Sequence, residues 1–555
     1  MGNESVGPIF YLTARGTTRT AAENALAILR DTEPELHLRS VTLTAKDKIC
    51  LCETRECTPE ACPYANGYYA RIKDALWDVL DVPCLTAETL QEYAERHTVC
   101  PFELGLDSSL WSDVIIGDYN YLFDPVVHLV RFFESAGDYI FLVDEAHNLP
   151  GRAREMHSAA LTKTSFYEAK KLLGKGKSSL KNALTKVNDV FIEWRHRAEE
   201  ETAARDGRFG KTFFLKERSE EFDHLLNRLC EPLEAWLDDH REPDETHTVL
   251  LQLYFDVRAW LRVADTFDDH FVLQITASGS EVRAAQLCLD PSAFLADSFA
   301  LGRAAVLFSA TLAPASYYKD LCGVPEARAV ALRSPFPAGN QGLFCIGNVS
   351  TRYKDRDASL AIVEESLATM VRARCGNYLA FFPSYAYMEQ AYAQFKEHCP
   401  EINCIKQENA MDEQQKAAFL AQFVPGPSQP LLGFAVMGGV FGEGVDLTGD
   451  RLIGVGIVGP GLPQVGPRQE QLRDYFEQTR GSGFDYAYRY PGMNKVLQAA
   501  GRVIRTPQDK GVVLLIDNRF AMPDYRRLMP PHWSHLKMIY DTEKLERELW
   551  RFWEE

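Results

Sequence analysis

At 555 residues, 46% hydrophobic and 25% charged, the chain has the composition of an ordinary folded protein and enough length for about three or four structural units. Its net charge of -18 argues against a surface coated in positive charge, while leaving room for a local basic groove that grips phosphates. No stretch approaches the roughly 18 apolar residues of a membrane span, and no basic segment followed by an apolar one opens the chain; a cytoplasmic protein is expected, whose 13 cysteines are reduced thiols or metal ligands.

The first apolar run, Ile9 to Thr13, reads as a buried strand and is followed by Ala14, Arg15, Gly16, Thr17 and Thr18. A cysteine-rich stretch then covers residues 46–107, with six of the 13 cysteines: Cys50, Cys52, Cys57, Cys62, Cys84 and Cys100. Thiolates clustered in a loop-rich segment suit zinc or an iron–sulfur cluster, and spacing alone does not separate the two. Cys57 and Cys62 open and close a tight loop, and Cys100 precedes Pro101 after a helical excursion. Cys50, Cys57, Cys62 and Cys100 are therefore the candidate metal ligands, with Cys52 competing with Cys50. Cys84 and the cysteines from Cys230 onward read as buried thiols.

The strand Val114 to Gly117 leads into Asp118, Tyr119, Asn120 and Tyr121, whose aromatic faces and amide suit either stacking on unpaired bases or core packing. The next strand, Tyr139 to Val143, ends on Asp144 and Glu145, with Ala146 and His147 following. At the carboxyl end of a parallel strand, an aspartate can hold Mg²⁺ through water while the next glutamate polarises an attacking water; a solvated acidic loop is the alternative. Residues 161–295 read as long charged helices, such as Phe166 to Leu173 and Phe222 to Leu237, each with one apolar face.

Beyond them Ala305 to Phe308 forms a strand that ends on Ser309, Ala310 and Thr311, two hydroxyls on one loop. Strands recur at Tyr378 to Phe382, Leu431 to Val436, Leu452 to Val458 and Val512 to Ile516, so two groups of continuously apolar strands alternate with helices. That pattern predicts two α/β domains with parallel sheets. The turn Gly438 to Asp446, rich in glycine, lets backbone approach phosphate or sugar; Glu443 and Asp446 within it join Ser309 and Thr311 as candidate nucleotide contacts. Gln498, Arg502 and Arg505 stand at helical spacings of four, three and seven, which predicts one helix face bearing an amide and two guanidiniums suited to charge on a transferring γ-phosphate.

These segments, in this order, resemble helicases of the DinG and XPD type in superfamily 2, over nearly the whole chain. The resemblance implies two RecA-like motor domains, the first interrupted twice: 1–45, 108–160 and 296–335 would be its parts, 46–107 an iron–sulfur insertion, 161–295 a helical arch, and 336–555 the second motor domain. Thr13, Arg15, Thr17 and Thr18 would contact nucleic acid. Asp144 would bind Mg²⁺, Glu145 would be the base, and His147 would link hydrolysis to strand movement. Ser309 to Thr311 would be the coupling motif, and Arg502 and Arg505 the arginine fingers, with Gln498 beside them. The cysteines would hold a [4Fe–4S] cluster. ATP with Mg²⁺, single-stranded or forked DNA, a monomer, 5′ to 3′ movement and a role in repair or replication are the corresponding expectations.

One part of the pattern is absent. A phosphate loop Gly-x-x-x-x-Gly-Lys-Ser/Thr should precede Ile9, where only Met1 to Pro8 stand. Gly176, Lys177, Ser178 and Gly210, Lys211, Thr212 are partial matches that lack the first glycine, having Lys171 and Arg205 there. The intact remaining motifs favour a chain whose loop lies upstream. A remnant that binds nucleic acid without turning over ATP is the second expectation, and a zinc-dependent interaction module the third.

Overall fold

The computed structural model describes residues 7–14, 16–174, 178–204, 210–242, 244–442 and 447–554. The chain divides into two compact units, 1–309 with 319–325 and 310–318 with 326–555.

The first unit is built on β1 (Ile9–Thr13), β2 (Ser40–Thr42), β3 (Cys84–Leu85), β4 (Val114–Asp118) and β5 (Ile140–Val143). Its other strands are β6 (Ala159–Thr162), β7 (Lys211–Leu215), β8 (Phe271–Ser278), β9 (Glu281–Cys288) and β10 (Ala304–Leu307). Six of them form a sheet in the order β10-β5-β1-β4-β2-β3, with every pairing parallel. On the inner strands β1, β4 and β5 the apolar runs bury Phe10, Ile115, Ile116 and Phe141 fully or nearly so. Phe10 is ringed by Phe132, Phe133, Tyr139 and Phe141, at centroid separations of 4.9 to 6.0 Å.

The segment 161–295 carries the expected helices, among them Ser179–Ala204, Glu220–Asp239 and Glu245–Asp265. It is not helical throughout. β6, β9, β8 and β7 make a four-stranded antiparallel sheet against which the helices bury Phe166, Phe191, Phe213, Phe222 and Trp260. The physical reason lies in the run from Phe271 to Cys288, where β-branched and apolar residues alternate around Gly279 (φ +60). That turn closes a hairpin, and one sheet face supplies the surface the amphipathic helices need.

The second unit holds β11 (Gln341–Ile346), β12 (Asn377–Phe382), β13 (Asn403–Lys406), β14 (Leu431–Val436), β15 (Gly454–Val458), β16 (Gly511–Ile516) and β17 (Lys537–Ile539). They form one parallel sheet in the order β13-β14-β12-β15-β16-β11-β17. Alternate residues enter opposite cores: Leu379, Phe381, Val455, Val513 and Leu515 on one face, Tyr378, Ala380, Phe382, Val512 and Leu514 on the other. Two parallel α/β sheets are thus present, as the alternation of strands and helices predicts. Among the described residues no helix is long and apolar enough to cross a membrane.

Candidate active site

Parallel pairing of β10, β5, β1 and β4 brings the carboxyl ends of four strands side by side. Asp144 N donates to Leu12 O (2.9 Å), Phe308 N to Val143 O (3.0 Å) and Tyr119 N to Thr13 O (3.1 Å), so the ladder runs to the last residue of each strand. Ser309, Asp144, Glu145, Thr13 and Tyr119 therefore share one edge of the first unit.

Asp144 is half-buried and held at both oxygens: Tyr11 OH donates to Oδ2 (2.9 Å) and the Glu145 amide to Oδ1 (2.7 Å). Desolvation pushes its carboxyl above the ordinary aspartate range, against the pull of those two donors. A cation would relieve that penalty, and each oxygen keeps a second lone pair, so the site fits a Mg²⁺ ion bound by Asp144.

Glu145 adopts φ +48, ψ +41, a left-handed conformation that an L side chain pays roughly 1–2 kcal/mol to occupy. The turn aims its carboxylate at the loop after β10, where Ser309 Oγ donates to Oε2 (3.0 Å). His147 Nδ1 lies 2.8 Å from the same Oγ and 3.2 Å from Glu145 Oε2, and its side chain is 6% exposed. Glu145, Ser309 and His147 thus form a small network, with the Glu145 side chain 41% open to water.

The nucleic-acid candidates fall differently. Thr13 is buried, with Oγ1 3.5 Å from Gly117 O, and Thr18 is half-buried. Arg15 and the Thr17 side chain lie outside the described residues. Tyr119 and Tyr121 are 0% and 7% exposed, which is the core-packing alternative: Tyr119 OH donates to Asp144 O and its ring meets Phe123 edge-on, leaving no face for a base. Asn120 Oδ1 accepts from Arg152 (3.2 Å).

In the second unit, the glycine turn follows β14, with Gly438 at φ +73. Glu443 and Asp446 lie outside the described residues. Arg502 reaches this turn, its Nη2 donating to Gly442 O (3.0 Å). The expected single helix face for Gln498, Arg502 and Arg505 is corrected: the helix Tyr490–Ala500 ends on Gly501, so only Gln498 is helical. Val503 and Ile504 turn into the core, and Asp509 Oδ2 takes the amides of Arg505 and Thr506 (both 2.7 Å), which draws the chain out of the helix. Thr311 is also placed here: Asn494 Nδ2 donates to its O (2.9 Å) and Oγ1 (3.1 Å), and to Tyr318 OH (2.7 Å).

Residues 367–536 match the helicase C-terminal domain family and residues 33–166 the DEAD_2 family. The general transcription and DNA repair factor IIH helicase subunit XPD of Schizosaccharomyces pombe is 24% identical over 80% of this chain and 67% of its own length. The ATP-dependent DNA helicase CHL1 of Coccidioides immitis is 22% identical over 81% of this chain and 60% of its own. Among solved structures, an XPD helicase superposes with TM-score 0.62 at 17% identity, covering 97% of this chain and 92% of that one. Xpd4 of S. tokodaii gives 0.55 at 14%, covering 96% of each chain. The chain belongs to the XPD, DinG and Rad3 type of superfamily 2 helicases. It spans about two thirds or less of the curated relatives named here.

In this XPD-type chain the four candidate cysteines differ in exposure. Cys62 is buried, Cys50 and Cys100 half-buried, and Cys57 exposed. The Cys62 thiol faces Cys52 (Sγ to Sγ 3.8 Å), and desolvation together with Cys62 and Cys50 pushes the Cys52 thiol up to about 11. Among the described residues no three Cys, His, Asp or Glu side chains gather so as to hold a metal ion. Cys50, Cys57, Cys62 and Cys100 form no such group.

Two residues of the XPD-type sites carried no sequence signal strong enough to single them out. Tyr11 differs from any core tyrosine only in its pairing opposite Leu142, and Asn494 only in standing one helical turn before Gln498.

Proposed function

We propose that this chain is the motor part of an ATP-dependent DNA helicase. The observation that carries the reading is the Asp144, Glu145, Ser309, His147 network at the carboxyl edge of the first sheet. Asp144 would hold Mg²⁺, which neutralises phosphate charge when bound. Glu145 Oε2 would take a proton from the attacking water; its exposure leaves it in reach of solvent, and Ser309 and His147 fix its direction. In the second unit, Arg502 and Arg505 are the proposed charge stabilisers and Gln498 a nucleotide contact, while Glu443 and Asp446 are carried on sequence order alone.

Among the described residues β10 is an edge strand of the first sheet. Ala304 and Ala305 are exposed and Val306 is 52% exposed, whereas strands of parallel sheets are ordinarily covered. One more parallel strand there would stand next to Ser309 and could deliver a phosphate loop. The iron–sulfur cluster remains a proposal resting on sequence position alone; iron and acid-labile sulfide in equal amounts would support it, and zinc without iron would overturn it.

Movement 5′ to 3′ and a role in repair belong to the same proposal. Strand displacement on forked duplexes with either a 5′ or a 3′ single-stranded tail, by this chain and by any longer product of its gene, tests it. ATP-dependent displacement from the 5′ tail is expected; displacement by neither protein from either tail contradicts the reading.

A further inference from the structure

At the carboxyl ends of β12, β16 and β11, in the second unit, stand two arginines with opposite circumstances. Arg519 is neutralised: its Nε and Nη2 donate to the two oxygens of the fully buried Asp517 (2.8 and 2.9 Å), which also accepts from Thr351 N (2.9 Å). Arg356 is not. Among the described residues no carboxylate stands within 4.0 Å of its guanidinium; Nη1 donates to Ser384 Oγ (3.2 Å), and Nε is buried without an acceptor. Of the two acids that flank it in sequence, Asp355 and Asp357, Asp355 accepts from the Ser350 hydroxyl (2.6 Å) and Asp357 is exposed.

Two rings frame this charge. The guanidinium lies 5.3 Å from the Tyr353 centroid and 5.1 Å from that of Tyr387. Tyr387 is buried, its hydroxyl on Ser359, so it serves as a wall. Tyr353 is 86% exposed and is flanked by exposed Arg352 and Lys354. A half-buried cation without a counter-ion, beyond the carboxyl ends of parallel strands, is arranged for an anion from outside. An exposed aromatic face beside it suits a flat unpaired base, and the cations on either side suit a charge that continues along a chain.

We propose that Arg356 and Ser384 hold one phosphodiester of a single-stranded nucleic acid, with an adjacent base stacked on Tyr353. This rests on the reading of the chain as a nucleic-acid motor and assigns that motor a contact on its second unit. Inorganic phosphate offers the same anion chemistry without the base, and the test separates the two.

The experiment is fluorescence anisotropy of a labelled oligothymidylate against this chain over a range of salt concentrations, for the wild type, Arg356→Gln, Arg356→Lys and Tyr353→Ala, with thermal unfolding of each. Arg356→Gln should weaken binding about tenfold and lower the slope of log affinity against log salt by roughly 0.7, the share of one phosphate on a single strand. Arg356→Lys should keep the slope. Tyr353→Ala, at an exposed position that leaves folding intact, should weaken binding roughly tenfold with the slope unchanged, because stacking releases no counter-ion. Wild-type affinity and slope in Arg356→Gln, alongside a wild type that binds, overturn the site alone. Calorimetric binding of inorganic phosphate that Arg356→Gln abolishes, with oligonucleotide binding unaltered, also overturns it. A wild type that binds no oligonucleotide at any salt overturns the motor reading and the site together.

Discussion

Ser309 Oγ lies 3.0 Å from Glu145 Oε2, a hydrogen bond between residues 164 positions apart that parallel pairing of β10 with β5 brings together. It fixes the direction of the carboxylate on which the proposed hydrolysis depends. Ser309→Ala should lower ATP turnover by about a hundredfold, the order expected when a reacting group is misplaced by about an ångström, and leave oligonucleotide affinity unaltered. Steady-state ATPase and anisotropy titrations measure the two; unaltered turnover would show that Glu145 needs no such guide.

The backbone of Glu145 predicts a difference in stability between two variants that are equally inactive. At φ +48 a Cβ is strained, so Glu145→Gly should be more stable than Glu145→Ala by about 1 kcal/mol, although glycine ordinarily destabilises. Both variants lack the carboxylate and should be equally inactive. Chemical denaturation of the pair checks this, and a more stable alanine variant would contradict the strain.

Asn494 is buried and donates to Thr311 O, Thr311 Oγ1 and Tyr318 OH. Asn494→Ala leaves these buried acceptors without that donor, and a loss of about 1–3 kcal/mol in unfolding free energy is expected. Thr311→Ser keeps the hydroxyl and should lose less. Denaturant midpoints for the two variants give the comparison, and equal losses would show that the methyl group rather than the hydrogen bonds carries the contact.

The sequence made the two sheets legible because buried parallel strands are short, continuous and apolar, as in Tyr378 to Phe382 and Leu431 to Val436. It made Asp144 and Ser309 legible because strand ends are where such sheets present side chains. The hairpin from Phe271 to Cys288 was hidden by long flanking helices of strong amphipathic pattern, although its turn glycine was in view. Arg502 and Arg505 were misplaced on a helix because spacing carries no information about where a helix stops. That was decided by Gly501 and by a side chain four residues beyond Arg505, Asp509. Tyr119 could not be divided between base stacking and core from its type, since both use the same ring; only burial decides.

Asp517 supplies a pH dependence. Burial raises its carboxyl, but Arg519 and Thr351 outweigh that and hold it below the ordinary aspartate range. A depressed folded-state value means that its stabilisation is complete above the unfolded value, about 3.9, and is lost as pH falls through the lower folded one. Asp517→Ala should cost about 3–5 kcal/mol at neutral pH by leaving Arg519 without its partner. It should also flatten the fall in melting temperature below about pH 4. Thermal melts of wild type and variant from neutral to acid pH test both, and parallel acid limbs would contradict the assignment.

The role proposed for Asp144 and Glu145 is ATP hydrolysis coupled to a nucleic acid. It is met most directly by the rate of ATP hydrolysis with and without single-stranded DNA, for the wild type and Glu145→Gln, in this chain and in any longer product of its gene. Hydrolysis that DNA stimulates, and that Glu145→Gln reduces by at least roughly a hundredfold without weakening DNA binding, is expected. Hydrolysis in neither protein, or hydrolysis indifferent to Glu145→Gln, would contradict it.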